Sequence, residues 1–135
     1  MPIESRVYLP AQLTVHEVYG GISPKDFRET LHTFYEETGP TRDVLWDVRK
    51  AAWDMVPATS MLDAIAAALQ IYRDHLGPRS GGKTAIIVSD DLGFGFATLG
   101  QMLVRALKPP IPFEIRVFSD LAAGNDWLQN SRQDG

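Results

Sequence analysis

Gly77-Pro78-Arg79-Ser80-Gly81-Gly82-Lys83-Thr84-Ala85-Ile86-Ile87-Val88 separates two different folds, according to whether it is a phosphate loop or a connector into a strand. Its first eight residues match the phosphate-loop pattern G-x-x-x-x-G-K-[ST]. A phosphate loop leaves a strand and opens a helix, so that amides at the helix N-terminus face the phosphates. Here the order is reversed. Met61, Ile65, Leu69, Tyr72 and Leu76 recur at helical spacing before the run, and Thr84–Val88 after it is apolar on both faces, as in a central parallel strand. The run therefore predicts a helix-to-strand connector in which Lys83 begins a strand. Lys83 as a phosphate ligand and Thr84 as a magnesium ligand are set aside.

The same alternation extends outward. Arg6–Leu9 and Leu13–Tyr19 are short, early and close together, which predicts a β-hairpin at a sheet edge, with Leu13 and Val15 on the inward face. Ser23-Pro24 opens a helix, serine as cap and proline in its first turn; Phe27, Leu31 and Phe34 form its apolar face, and Gly39-Pro40 stops it. Val44–Val48 is the third strand, followed by a loop from Arg49 to Ala58. A helix starts near Ser60, with Asp63 completing a capping box. After the fourth strand, Asp90–Gly95 turns into a helix whose Phe96, Leu99, Leu103 and Leu107 point to the core, with Gly100 close to the sheet. Phe113–Phe118 is the fifth strand. Ser119 or Asp120 caps a last helix through Leu128, and residues 129–135 form a frayed polar tail. The order β-β-α-β-α-β-α-β-α predicts one α/β domain over residues 1–135, with a mixed, mostly parallel five-stranded sheet and about four helices.

Composition narrows function mainly by exclusion. The 135 residues are 44% apolar and 22% charged, with 13 basic against 17 acidic side chains and a net charge of −4. That balance gives no footprint for nucleic acid. Without cysteine there is no thiol catalysis, disulfide or thiolate metal site. No apolar stretch approaches the ~20 residues of a membrane span, and the N-terminus lacks a signal-peptide pattern, so a cytoplasmic location is expected.

Several groups could carry chemistry. Asp47, Asp90 and Asp91 lie at the carboxyl ends of predicted strands, where open α/β sheets bind ligands. Receiver and phosphatase sites place acids there to hold magnesium, but their accompanying lysine or D-x-D pattern is missing. The simpler reading makes the acids caps and pairs Asp47 with Arg49. Gly93-x-Gly95 with Gly100 fails the dinucleotide spacing; the turn could still bind an anion. Trp53 and Phe94 could line an apolar pocket at these strand ends. Thr59 and Ser60 are phosphosite candidates at a helix N-terminus. His16, His32 and His75 sit on different elements without metal or nucleophile spacing and read as surface or hairpin residues. The ligand-binding candidates are thus Asp47, Arg49, Trp53, Asp90, Asp91, Phe94 and Gly95. No catalytic set, metal or cofactor is assigned.

Gly20-Gly21, Leu45-Trp46-Asp47-Val48-Arg49, Lys83–Val88, Gly93-Phe94-Gly95, Phe118-Ser119-Asp120-Leu121 and Trp127-Leu128 stand in an order and spacing that covers nearly the whole chain. In this the chain resembles the SpoIIAA-like (STAS-type) family of small bacterial domains. The resemblance implies a mixed sheet with packed helices and a role in protein–protein regulation rather than catalysis; the wider fold group also includes CRAL-TRIO lipid-transfer domains. Anti-sigma-factor antagonists of this fold carry Asp-Ser-(Ser/Thr)-Gly after the third strand. Here the segment is Pro57-Ala58-Thr59-Ser60-Met61-Leu62, without the aspartate and glycine. The expectation is a non-enzymatic regulatory or protein-interaction domain outside the sigma-factor pathway, able to form a homodimer. The alternative is a small-molecule or lipid-binding domain with its pocket at the carboxyl ends of the strands.

Overall fold

The computed structural model describes residues 3–21, 23–52, 58–74, 79, 81–106 and 113–133. The elements follow the predicted order: β1 (Ile3–Tyr8), β2 (Leu13–Gly20), α1 (Pro24–His32), β3 (Asp43–Ala51), α2 (Ala58–Asp74), β4 (Lys83–Ile87), α3 (Asp91–Arg105), β5 (Glu114–Phe118) and α4 (Leu121–Gln133). They build one five-stranded sheet in the order β1-β2-β3-β4-β5. The hairpin pair is antiparallel and the other three pairs are parallel.

This sequential order explains the layers. Every crossover from β2 to β5 steps in the same direction across the sheet. Parallel crossovers are right-handed, so each helix returns over the same face. Leu31 of α1 and Tyr72 of α2 accordingly share one core with Val44, Trp46 and Val48 of β3, and Ala97 of α3 packs against it. α4 follows the last strand and crosses nothing, and it takes the other face. There Leu128, 1% exposed, packs with Leu45, Ala85 and Ile87. Burying such a leucine is worth roughly 2 kcal/mol, which fixes α4 on the sheet.

α1 starts as its sequence dictates. Ser23 Oγ accepts from the Asp26 amide at 3.1 Å, and Asp26 Oδ2 accepts from the Ser23 amide at 3.3 Å, a reciprocal capping box. The helix then widens into a π-helical turn over Thr33–Thr38. Gly39, at φ +90°, ends it where expected.

Boundaries differ elsewhere. β3 continues through Arg49, Lys50 and Ala51, because β2 pairs with it as far as Gly20 opposite Ala51. α2 begins at Ala58, ahead of the expected cap at Ser60. Gly93 and Gly95 lie inside α3, capped by Asp90 instead of forming a turn before it. α4 extends to Gln133, beyond the expected end at Leu128.

The connector into β4 shows what replaces phosphate in the phosphate-loop look-alike. Arg79, only 2% exposed, sits over the Phe113 ring at 4.0 Å. Its Nε donates to the Arg42 carbonyl at 3.2 Å, and its Nη2 donates to the Lys83 carbonyl at 3.1 Å and to Thr84 Oγ1 at 2.8 Å. Thr84 is buried beneath it. Lys83 Nζ reaches the Trp127 carbonyl and lies 4.7 Å from that ring. Gly81, at φ +78°, supplies the left-handed turn. Gly82 touches backbone: a Cβ there would stand 2.0 Å from the Arg42 carbonyl oxygen. The two glycines thus serve turn geometry and close approach. Gly77, Pro78 and Ser80 lie outside the described residues.

Candidate functional site

The carboxyl ends of β3 and β4 hold most of the residues singled out from sequence. Arg49 grips Asp47 with two nearly parallel hydrogen bonds, Nε to Oδ1 at 2.9 Å and Nη2 to Oδ2 at 2.8 Å. The guanidinium hydrogen bond holds the Asp47 carboxyl below its ordinary range. Ser89 Oγ donates to the Arg49 carbonyl at 2.9 Å, joining the ends of β3 and β4. Asp90 Oδ1 accepts the Gly93 amide at 2.7 Å, and Asp120 Oδ1 accepts the Ala122 amide at 3.0 Å, so both carboxylates cap helices. Asp91 is exposed in the first turn of α3. Among the described residues no group of three or more acidic or histidine side chains could hold a metal ion. Gly95 faces open space. Thr59 and Ser60 fall in the first turn of α2, and Trp53 lies outside the described residues.

Of the described side chains of α3, Gly93, Ala97, Gly100 and Gln101 turn inward. Gly100 faces Ile65 of α2, where a Cβ would stand 3.9 Å from that side chain, rather than the sheet as expected. The Gln101 amide donates to the Ile115 carbonyl of β5. Among the described side chains of α3, the large apolar ones are exposed: Leu99 by 38%, Met102 by 62% and Leu103 by 37%. Leu99 and Leu103 were expected in the core; Phe96 and Leu107, expected there with them, have side chains outside the described ones. Phe94 on the adjoining flank and Leu62 of α2 are also half exposed. Gly100 lies close to Ile65 of α2 and Gln101 holds β5, while Leu99, Met102 and Leu103 are left on the solvent side.

A third feature was missed in the sequence. On β2 the deeply buried face is Thr14, His16 and Val18, each 1% exposed, not the Leu13–Val15 face. His16, expected to be a surface or hairpin residue, is on the hairpin but buried, stacking 4.3 Å from Trp46 and meeting Phe34 edge-on at 5.5 Å. Its Nδ1 is 2.7 Å from Ser5 Oγ, its direct cross-strand neighbour. Its Nε2 is buried without a hydrogen-bond partner among the described residues. Burial, reinforced by the Arg79 charge, pushes the imidazole pKa down to about 3, so His16 is neutral at pH 7. The signal was the period-two placement of Thr14 and His16 beside Val18, masked by their polarity. His16, Ser5, Ile3, Val7 and Phe34 line a cleft of about 590 Å³ between the hairpin and α1. Arg28, Glu29 and Glu37 also border it. His32, exposed on α1 beside Glu36, also borders the cleft, and His75 lies outside the described residues.

No family model matches the chain, and no curated protein matches it. A solved structure does: an uncharacterised protein of the DUF3478 family with a SpoIIAA-like fold from Shewanella loihica PV-4. It is 18% identical, the match covers 93% of this chain and 91% of that one, and the TM-score is 0.52. The mixed sheet, the three helices on one face and the fourth on the other give this chain a SpoIIAA-like α/β fold.

Proposed function

We propose that the chain is a non-enzymatic interaction domain that docks an apolar surface of another protein on the outward face of α3. The observation that carries this reading is the exposure of Leu99, Met102 and Leu103 together on α3. Leaving large apolar side chains in water has no folding benefit, and contiguous patches of this kind mark interaction sites. The acidic residues at the strand ends support the non-enzymatic part, because Asp47, Asp90 and Asp120 are engaged by an arginine or by helix amides. A Leu99→Glu/Met102→Glu double variant should fold normally and lose its partners in a comparative pull-down from native lysate. A variant that keeps every wild-type partner rules the surface out. Thr59→Asp and Ser60→Asp in the same assay test the phosphoswitch, since the first turn of α2 would accept added negative charge.

A second reading is binding of a small apolar or lipid-like molecule, favoured by the 590 Å³ cleft beside the hairpin. It lies away from the strand ends, where the sequence placed the pocket. Native mass spectrometry of freshly purified protein tests it. An apo mass, with no thermal shift across a lipid and metabolite panel, counts against it.

A further inference from the structure

β1 is an edge strand. It pairs with β2 on one side, and among the described residues no strand pairs with its other side. Edge strands are usually blunted by proline, bulges, brevity or charge, and the charges on β1, Glu4 and Arg6, are of opposite sign. β1 has six residues, no proline and no register break against β2, and Val7 and Tyr8 are 40% and 45% exposed. Its charges carry a further clue. Glu4 stands directly opposite Glu17 in the hairpin register, a like-charge placement that disfavours the pair. Arg6 reaches Glu17 at 3.5 Å, and among the described residues Glu4 has no ion pair of its own.

We propose that β1 pairs antiparallel with β1 of a second copy of this chain, about a two-fold axis midway between the two copies of Ser5. Side chains directly opposite in an antiparallel pair lie on the same face, so a two-fold axis perpendicular to the sheet must place one residue opposite its own copy. With the axis at Ser5, Glu4 faces the partner's Arg6 and Arg6 faces the partner's Glu4, while Ile3 and Val7 meet as an apolar pair. With the axis at Glu4 or Arg6, like charges face each other at the centre. The Ser5 register is thus the self-complementary one of the three, and the partner's Arg6 supplies the cation that Glu4 lacks. On the α1 face, Ile3, Ser5 and Val7 also line the cleft, so the partner's Val7 and Ile3 extend its floor. The interface is small, and the dimer is correspondingly weak and concentration-dependent.

Sedimentation velocity of the full chain over a concentration series up to about 1 mM reads it directly. Wild type should dimerise. Glu4→Arg and Arg6→Glu should each weaken the dimer by roughly tenfold to a hundredfold, because each converts two attractive cross-strand pairs into two repulsive ones. An equimolar mixture of the two variants should restore association as a heterodimer, since every charge then faces its opposite. Circular dichroism melts confirm that both variants fold. A wild-type chain that stays monomeric throughout, a single variant that dimerises as tightly as wild type, or a mixture that fails to associate overturns the proposal. Leu99→Glu/Met102→Glu should leave the dimer intact. If that variant abolishes it, the α3 face is the interface between copies and the β1 register falls.

Discussion

Gly82→Ala tests the connector reading at a single atom. A Cβ at this position would lie 2.0 Å from the Arg42 carbonyl oxygen and 3.0 Å from those of Arg79. Ordinary contact begins near 3.4 Å, so the chain must move by about 1.4 Å. The neighbour is backbone and cannot rotate away. The displacement pulls on three hydrogen bonds: the Gly82 amide to the Arg79 carbonyl at 3.0 Å, the Glu114 amide to the Gly82 carbonyl at 3.1 Å, and the Lys83 amide to Asp43 Oδ1 at 3.1 Å. Losing two of them costs about 2 kcal/mol, and overpacking strain adds roughly 1–3 kcal/mol. The expected destabilisation is about 4 kcal/mol, a large share of the stability of a domain this size. Urea denaturation measures it, and a thermal melt should fall by roughly 10 °C or more. Gly95→Ala is the control. It sits in the first turns of α3, faces open space, and should stabilise by about 0.5–1 kcal/mol. A Gly82→Ala protein within about 0.5 kcal/mol of wild type would refute the steric argument.

Three smaller predictions follow from the same geometry. His16 has a folded pKa of about 3 against an ordinary 6.5, so between these values the unfolded chain binds a proton that the folded chain does not. Stability is therefore full above pH 6.5 and declines as pH falls toward 3, by about 2 kcal/mol between pH 7 and 5; urea titrations should show this slope, and His16→Phe should flatten it. Asp47→Asn removes a partly exposed ion pair and should cost no more than about 1 kcal/mol at neutral pH. Because the folded pKa of Asp47 is depressed, that stabilisation is present above its unfolded value and lost as pH falls through the folded one, so wild type and variant should converge in acid. Ser23→Ala breaks the capping box and should lower stability by about 1 kcal/mol, read most directly as faster amide exchange in the first turn of α1.

Local pattern carried the element order, the edge hairpin, the capped start of α1, the Asp47–Arg49 pair and the rejection of the phosphate loop. All depend on neighbours a few residues apart, and that is the range over which side-chain periodicity and capping act. Boundaries were less legible where pairing decides them. β3 runs on to Ala51 because β2 holds it there, not because Arg49 and Lys50 favour a strand. The α3 faces were misjudged for a related reason. Leucines at helical spacing read as buried, but packing of Gly100 on α2 and of Gln101 on β5 turned Leu99 and Leu103 toward solvent.

The amino-acid sequence by itself determined which segments are strands and helices and in what order, because hydrophobic period and turn chemistry are written along the chain. Tertiary structure alone decided how those segments face one another. The strand order β1-β2-β3-β4-β5 put three helices on one side of the sheet and α4 on the other. That arrangement buried a neutral His16 between Trp46 and Phe34, and brought the Arg42 carbonyl and the Phe113 ring to a buried Arg79. It also left β1 unpaired at the edge. Burial depends on contacts between residues far apart in sequence, and no local pattern records which of two apolar faces will find a partner.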